Sequence, residues 1–233
     1  MQPSLPGIRG AGQVELRGSL QPSLRAEAGA AYSPANHLLL TGMGSWRPQG
    51  SLSGSGLFRA RLAEAGVGTY WPAGPYWTLV ALGGYGWGQA ARQVNNGDIL
   101  FNYRTDYFSR YTTQFGQFGA LCRKDPVTIG LGYRLTQVRF RELRSSEYLL
   151  PLDNQLRHEP FFSVRFDVGA EPNADRWQAE IGGGLSLAQH GRGSTGGPYD
   201  PVRSQVDLNR GSAWLVSAGV VFRPIRRRER GAP

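Results

Sequence analysis

The sequence predicts an all-β chain: an antiparallel up-and-down transmembrane β-barrel of about ten strands, with short periplasmic turns and long outer loops. Three observations carry that expectation. Apolar and polar residues alternate with period two through most of the 233 residues. The segments between the alternating stretches are short and long in turn, except that the first, Gln21-Pro22-Ser23, is short where a long one is expected. In the clean stretches every charge falls on one face and none on the other.

Residues 176–189, RWQAEIGGGLSLAQ, show the pattern most fully. Trp177, Ala179, Ile181, Gly183, Leu185 and Leu187 share one face, and Arg176, Gln178, Glu180, Gly182, Gly184, Ser186 and Ala188 share the other. In chain order, residues 12–20 set Val14, Leu16 and Gly18 against Gln13, Glu15, Arg17 and Ser19. After Gln21-Pro22-Ser23, residues 24–32 set Leu24, Ala26, Ala28 and Ala30 against Arg25, Glu27 and Gly29. Ser33-Pro34-Ala35-Asn36 is a turn signal. Residues 37–47 place Leu38, Leu40 and Trp46 opposite Thr41 and Ser45, and Pro48 opens a Gly/Ser loop. Residues 57–71 put Ala65, Val67, Thr69 and Trp71 opposite Glu64, Gly66, Gly68 and Tyr70; Arg59 and Arg61 fall out of phase, which predicts a bulge.

Pro72-Ala73-Gly74-Pro75 turns into residues 76–89, with Trp77, Leu79, Ala81, Gly83, Tyr85 and Trp87 on one face, followed by an expected long loop over 90–106. Residues 107–122 read as a strand of undetermined phase. Residues 127–136 alternate cleanly around Arg134, and the phase slips through Arg141. A long loop is expected over 142–160. Residues 161–170 set Phe162, Val164, Phe166 and Val168 against Ser163, Arg165, Asp167 and Gly169. After residues 176–189 comes a Gly-rich loop, 190–211, and a last strand with Trp214, Val216, Ala218, Val220 and Phe222 on one face.

An even strand number brings both termini to one rim, the periplasmic one. The expected organisation is a periplasmic segment 1–11, a barrel 12–223 and a basic tail 224–233. The charged face, Glu15, Arg17, Arg25, Glu27, Glu64, Arg134, Arg165, Asp167 and Glu180, is expected inside as a lumen network. In a narrow lumen long arginines reach across small glycines, and shielded charges persist when paired. Trp46, Trp71, Trp77, Trp87, Trp177, Trp214 and Phe222 are expected outside as aromatic girdles. Trp77 and Trp87 share a face ten residues apart, roughly 25 Å at a tilt of about 40°, the height of an apolar membrane band. The alternative is a lipocalin-like soluble barrel with the apolar face inward.

Composition narrows the classes. Thirty-three glycines accompany 6 Trp, 10 Tyr and 10 Phe. No eighteen-residue apolar run forms a membrane helix. The mean hydropathy of −0.37 fits a barrel whose strands are polar on one side. The net charge of +9 comes almost wholly from arginine, Lys124 being the one lysine, without the basic helix or compact motif of a nucleic-acid reader. Cys122 is alone, which excludes an intramolecular disulfide and a zinc cluster. No metal or other cofactor is expected. The N-terminus lacks a charged region followed by an apolar one; since a barrel needs export, the expectation is that a signal has been removed or that translation starts elsewhere.

The stretches AEAGVGTYWP, LGGYGWG, YFSRYTTQFGQFG and EPFFSVRFDVG, in that order and spacing, resemble small outer-membrane barrel proteins of Bacteroidetes-type bacteria. The resemblance spans residues 3–222. Such proteins often begin with a signal peptide, sometimes with a lipidated cysteine, and have no assigned activity. The resemblance therefore implies fold and an outer-membrane location alone.

Catalytic chemistry finds little support. His37 follows a turn, while His158 and His190 lie in or beside long loops near Asp153, Asp200 or Ser194 without a selecting spacing. Gly191, Gly193 and Gly196 match GxGxxG but no helix follows. The sequence thus points to a non-enzymatic outer-membrane barrel contacting outer-membrane lipid, and an envelope partner through its loops or basic tail. A narrow solute channel, an outer-rim hydrolase and a soluble lipid carrier are the alternatives.

Overall fold

The computed structural model describes residues 1–50, 57–98, 101–145, 148–149, 154–169, 176–189 and 213–224. Alternation makes each stretch a strand: β1 (Val14–Leu20), β2 (Ala26–Tyr32), β3 (Leu39–Gly50), β4 (Phe58–Ala73), β5 (Trp77–Asp98), β6 (Phe101–Lys124), β7 (Val127–Ser145), the two-residue β8 (Tyr148–Leu149), β9 (Asn154–Val168), β10 (Trp177–Ala188) and β11 (Ala213–Phe222). Each of the ten long strands pairs antiparallel with its neighbours, and β8 pairs antiparallel with the end of β7 alone among the described residues. Pairing of β1 with β11 closes a ten-strand barrel and leaves no long open edge among the described residues. The turns at 33–38, 74–76 and 125–126 lie on one rim with Gly12, before β1, and Arg223, after β11; the other rim carries the longer connections and the tops of β5 and β6.

The apolar face points outward. Leu16, Val67, Leu79, Leu131, Phe162, Ile181 and Val216 are exposed, while Glu15, Arg17, Glu64, Arg134, Arg165 and Glu180 are buried. A soluble barrel has the reverse arrangement. Small inward glycines admit the large inward rings: the Phe115 ring lies against Gly84 and the Phe161 ring against Gly132, so a methyl group at either glycine would strike a ring. At the short-turn end the lumen holds an apolar core of Leu5, Ile8, Leu39, Tyr70, Val80, Leu82 and Leu121.

Four expectations are corrected. The segment 1–11, expected outside the barrel, runs up the lumen, with Gln2, Leu5 and Ile8 buried. It offers two apolar side chains to the core and its backbone groups to buried carboxylates, which outweighs leaving it in water. Arg59 and Arg61 keep the phase of β4, which pairs with β5 without a shift from Phe58 to Ala73, and both point outward. The expected loop 90–106 is two strands paired down to Asp98 and Phe101, and β9 begins at Asn154 inside the expected loop 142–160. A ladder standing clear of the core is held by backbone bonds and needs no apolar face. β6 has a definite phase, with Thr113, Phe115, Gln117 and Leu121 inward; opposite Arg110 and Tyr111, Arg141 is the extra residue of a bulge on β7, where the sequence shows its slip.

Candidate functional site

Two ionic clusters and the N-terminal segment fill the lumen. In the first cluster, β9 carries Arg165 at 0 % exposure. Its Nε donates to Glu180 Oε2 at 2.7 Å, its Nη1 to Glu15 Oε1 at 3.2 Å and its Nη2 to the Leu5 carbonyl at 2.7 Å. All three nitrogens of a rigid guanidinium fork thereby donate, each to a different element. Arg17 Nη2 lies 2.7 Å from Glu180 Oε1, an ion pair whose angles fall outside hydrogen-bond geometry. Arg223, just past β11, reaches Glu15 Oε2 at 2.9 Å, and the Gly7 N–H donates to the same oxygen at 2.9 Å. Three cations thus face two carboxylates, and the Leu5 carbonyl shares the excess positive charge.

The second cluster lies towards the long-loop rim. Arg134 Nη2 meets Glu64 Oε1 at 2.6 Å, and its Nε donates to Thr136 Oγ1 at 3.0 Å. Thr136 Oγ1 and Ser186 Oγ donate to the two oxygens of Glu159 at 2.7 and 2.8 Å. The Arg134 guanidinium stacks 3.9 Å above the Phe115 ring centre.

The N-terminal segment has two faces. Leu5 and Ile8 enter the apolar core. On the polar side Gln117 Nε2 donates to the Ser4 carbonyl at 2.7 Å, and the Gln2 N–H donates to Glu27 Oε1 at 3.0 Å. Arg9 anchors the lower end on the 74–76 turn through the carbonyls of Gly74 and Pro75, at 2.7 and 2.5 Å. A cavity of about 40 Å³ remains beside Glu15, Arg17, Glu64, Phe115 and Arg134, space for a water or two.

The structure brings Glu15, Arg17, Arg165 and Glu180 into one cluster and Glu64 and Arg134 into the other. Asp167 lies apart, accepting from Gln178 at 2.5 Å and lying 3.5 Å from Arg123. Glu27 serves the N-terminal segment and Gln21. Arg25 sits in the β1–β2 turn with its Nε buried and without a hydrogen-bond partner. Glu159, Arg223 and the whole N-terminal segment escaped the reading by alternation: Glu159 precedes a proline inside a presumed loop, Arg223 follows the last strand, and residues 1–11 do not alternate.

Trp71, Trp77, Trp177 and Phe222 point outward near the short-turn rim, Trp177 and Phe222 stacking at 4.3 Å; Trp46, Trp87 and Trp214 point outward near the other. His158 faces outward and bonds the Tyr133 hydroxyl, and His37 bonds the Tyr70 carbonyl at 2.8 Å. His190, Asp153, Ser194 and Asp200, the GxGxxG glycines and the tail beyond Pro224 lie outside the described residues. Among the described residues no three acidic, His or Cys side chains group as metal ligands.

No protein-family model matches the chain, and no curated protein matches it in sequence. Among solved structures it is similar to the outer-membrane protease OmpT of Escherichia coli, with a TM-score of 0.53, 8 % identity, and 92 % of this chain and 94 % of that one covered. The translocator domain of the autotransporter NalP of Neisseria meningitidis aligns with a TM-score of 0.42 and 10 % identity over 90 % of this chain and 86 % of that one. The fold is that of an outer-membrane β-barrel.

Proposed function

We propose that the chain is an integral outer-membrane barrel with a sealed lumen and no catalytic role, its long-loop rim outside the cell and available for contact with other envelope components. The observation that carries this reading is the N-terminal segment seated between the apolar core and the Arg165 cluster, with a cavity of about 40 Å³ beside it among the described residues. Membrane placement is supported by the outward apolar belt. Each of those side chains would forgo roughly 1.5–3 kcal/mol of burial if left in water, and the tryptophans stand at both edges of the belt. Orientation follows from the short turns, which are periplasmic in barrels of this type.

The test is twofold. The chain should fractionate with the outer membrane and migrate on a gel as a heat-modifiable band, and the purified barrel in a planar bilayer should stay near zero conductance. Recovery in the soluble fraction without detergent would remove the membrane reading; steady conductance would replace the sealed barrel with a solute channel.

A further inference from the structure

We propose that the outer face of β4–β7, immediately beyond Trp87, binds the phosphate groups of an anionic outer-leaflet lipid. This rests on the membrane orientation above. Arg61, Gln89, Arg110 and Glu142 form one outward row across the four strands through the pairs Arg61↔Gln89, Gln89↔Arg110 and Arg110↔Glu142. One rung lower stand Ala63, Trp87, Thr112 and Arg139. Arg141, displaced by the bulge, joins Arg61 and Arg110 around an open cavity of about 400 Å³ floored by Trp87.

Charge there is poorly balanced. Glu142 is the acid of this row; its carboxylate lies 3.9 Å from Arg110 Nε and 3.4 Å from Arg144 Nε, a contact too long to neutralise both. Arg61, Arg139 and Arg141 are exposed. Guanidinium forks match phosphate oxygens two at a time, and several around one cavity match a phosphomonoester better than a lone surface arginine does.

Depth and shape select a lipid over a free anion. Below the Trp87 row the outward residues on β3–β6 carry no charge until Lys124 at the opposite rim, and several are small: Gly42, Ala65, Gly83 and Gly116. Gly42 and Gly116 have open space where a side chain would stand. A headgroup phosphate held by Arg61, Arg110 and Arg141 would therefore have its acyl chains directed down a shallow trough between taller apolar side chains. A tryptophan at the junction is placed as interfacial aromatics are.

The experiment uses the full chain refolded in phosphatidylcholine vesicles and shown to be heat-modifiable. Lipid A bearing two phosphates, its dephosphorylated form, or inorganic phosphate is titrated, and Trp fluorescence and the unfolding temperature are read. The expected result is saturable binding of the phosphorylated lipid that weakens with salt. Arg61→Gln/Arg110→Gln should weaken it by about tenfold or more. Lys124→Gln, at the opposite rim, should leave it unchanged. Equal binding of the dephosphorylated lipid, equal loss in Lys124→Gln, or competition by inorganic phosphate at the lipid's own concentration would overturn the proposal. A chain that fails to insert into the neutral vesicles would instead overturn the membrane reading, and the site with it.

Discussion

Substituting Glu180 should destabilise the barrel more than substituting Arg165, although Arg165 makes more contacts. Arg165 touches Glu180, Glu15 and the Leu5 carbonyl. Removing it as Arg165→Met leaves two matched pairs, Arg17–Glu180 at 2.7 Å and Arg223–Glu15 at 2.9 Å. The main loss is then a carbonyl without its donor, about 1–3 kcal/mol. Glu180→Gln leaves three cations against Glu15 alone and removes the carboxylate that Arg17 faces, in a site where Glu180 is 2 % exposed. Breaking a buried pair by deleting one partner costs about 3–5 kcal/mol. The double variant keeps the parent's net charge in the cluster and should be less damaged than Glu180→Gln alone, which requires a favourable coupling larger than the cost of Arg165→Met itself, about 2–3 kcal/mol. The assay is urea unfolding in lipid vesicles followed by Trp fluorescence. If Arg165→Met is the more destabilising, or the two effects simply add, charge balance does not govern this cluster and the contacts themselves do.

Other predictions follow from position. Ile181→Arg, in the outward belt, should cost about 2–4 kcal/mol, and Gln89→Arg, beyond Trp87, about 0–1 kcal/mol; equal costs would remove the belt. Leu5→Ala should cost about 2–5 kcal/mol in the same unfolding assay, and deletion of residues 2–9 should turn the silent barrel into one that conducts in a planar bilayer; an unchanged midpoint would show that Leu5 is not in the core. Gly84→Ala meets the Ala65 carbonyl and the Phe115 ring and should cost about 1–3 kcal/mol. Gly42→Ala enters open space and should be neutral or slightly stabilising by thermal melting, so equal damage at both sites would contradict the packing described.

Strand existence and facing were legible because wall residues point alternately to an apolar outer belt and a crowded polar lumen, and that contrast writes period two into the sequence. Glu64, Arg134 and Glu180 could be placed inside on that ground alone. The bulge opposite Arg110 and Tyr111 was legible as the slip of phase through Arg141, because Arg141 is the one extra residue on β7 while β6 runs on unbroken. Residues 90–98 and 101–106 gave no such signal: standing beyond the girdle, their ladder has no apolar requirement. Arg59 and Arg61 were misread for the same reason, because an outward arginine breaks the pattern only within the belt. The N-terminal segment was illegible in a different way. It is held by isolated contacts, Leu5 and Ile8 to the core and Gly7 to Glu15, which have no periodicity.

Amide hydrogen exchange on residues 2–9 of the folded full chain tests the sealed lumen most directly. The Gln2 and Gly7 N–H groups donate to the buried carboxylates Glu27 and Glu15, and exchange there requires the segment to leave the barrel. Protection comparable to the amides of β10 is the result predicted. Exchange at the rate of an unstructured peptide, with β10 still protected, would place the segment outside the lumen and contradict the account.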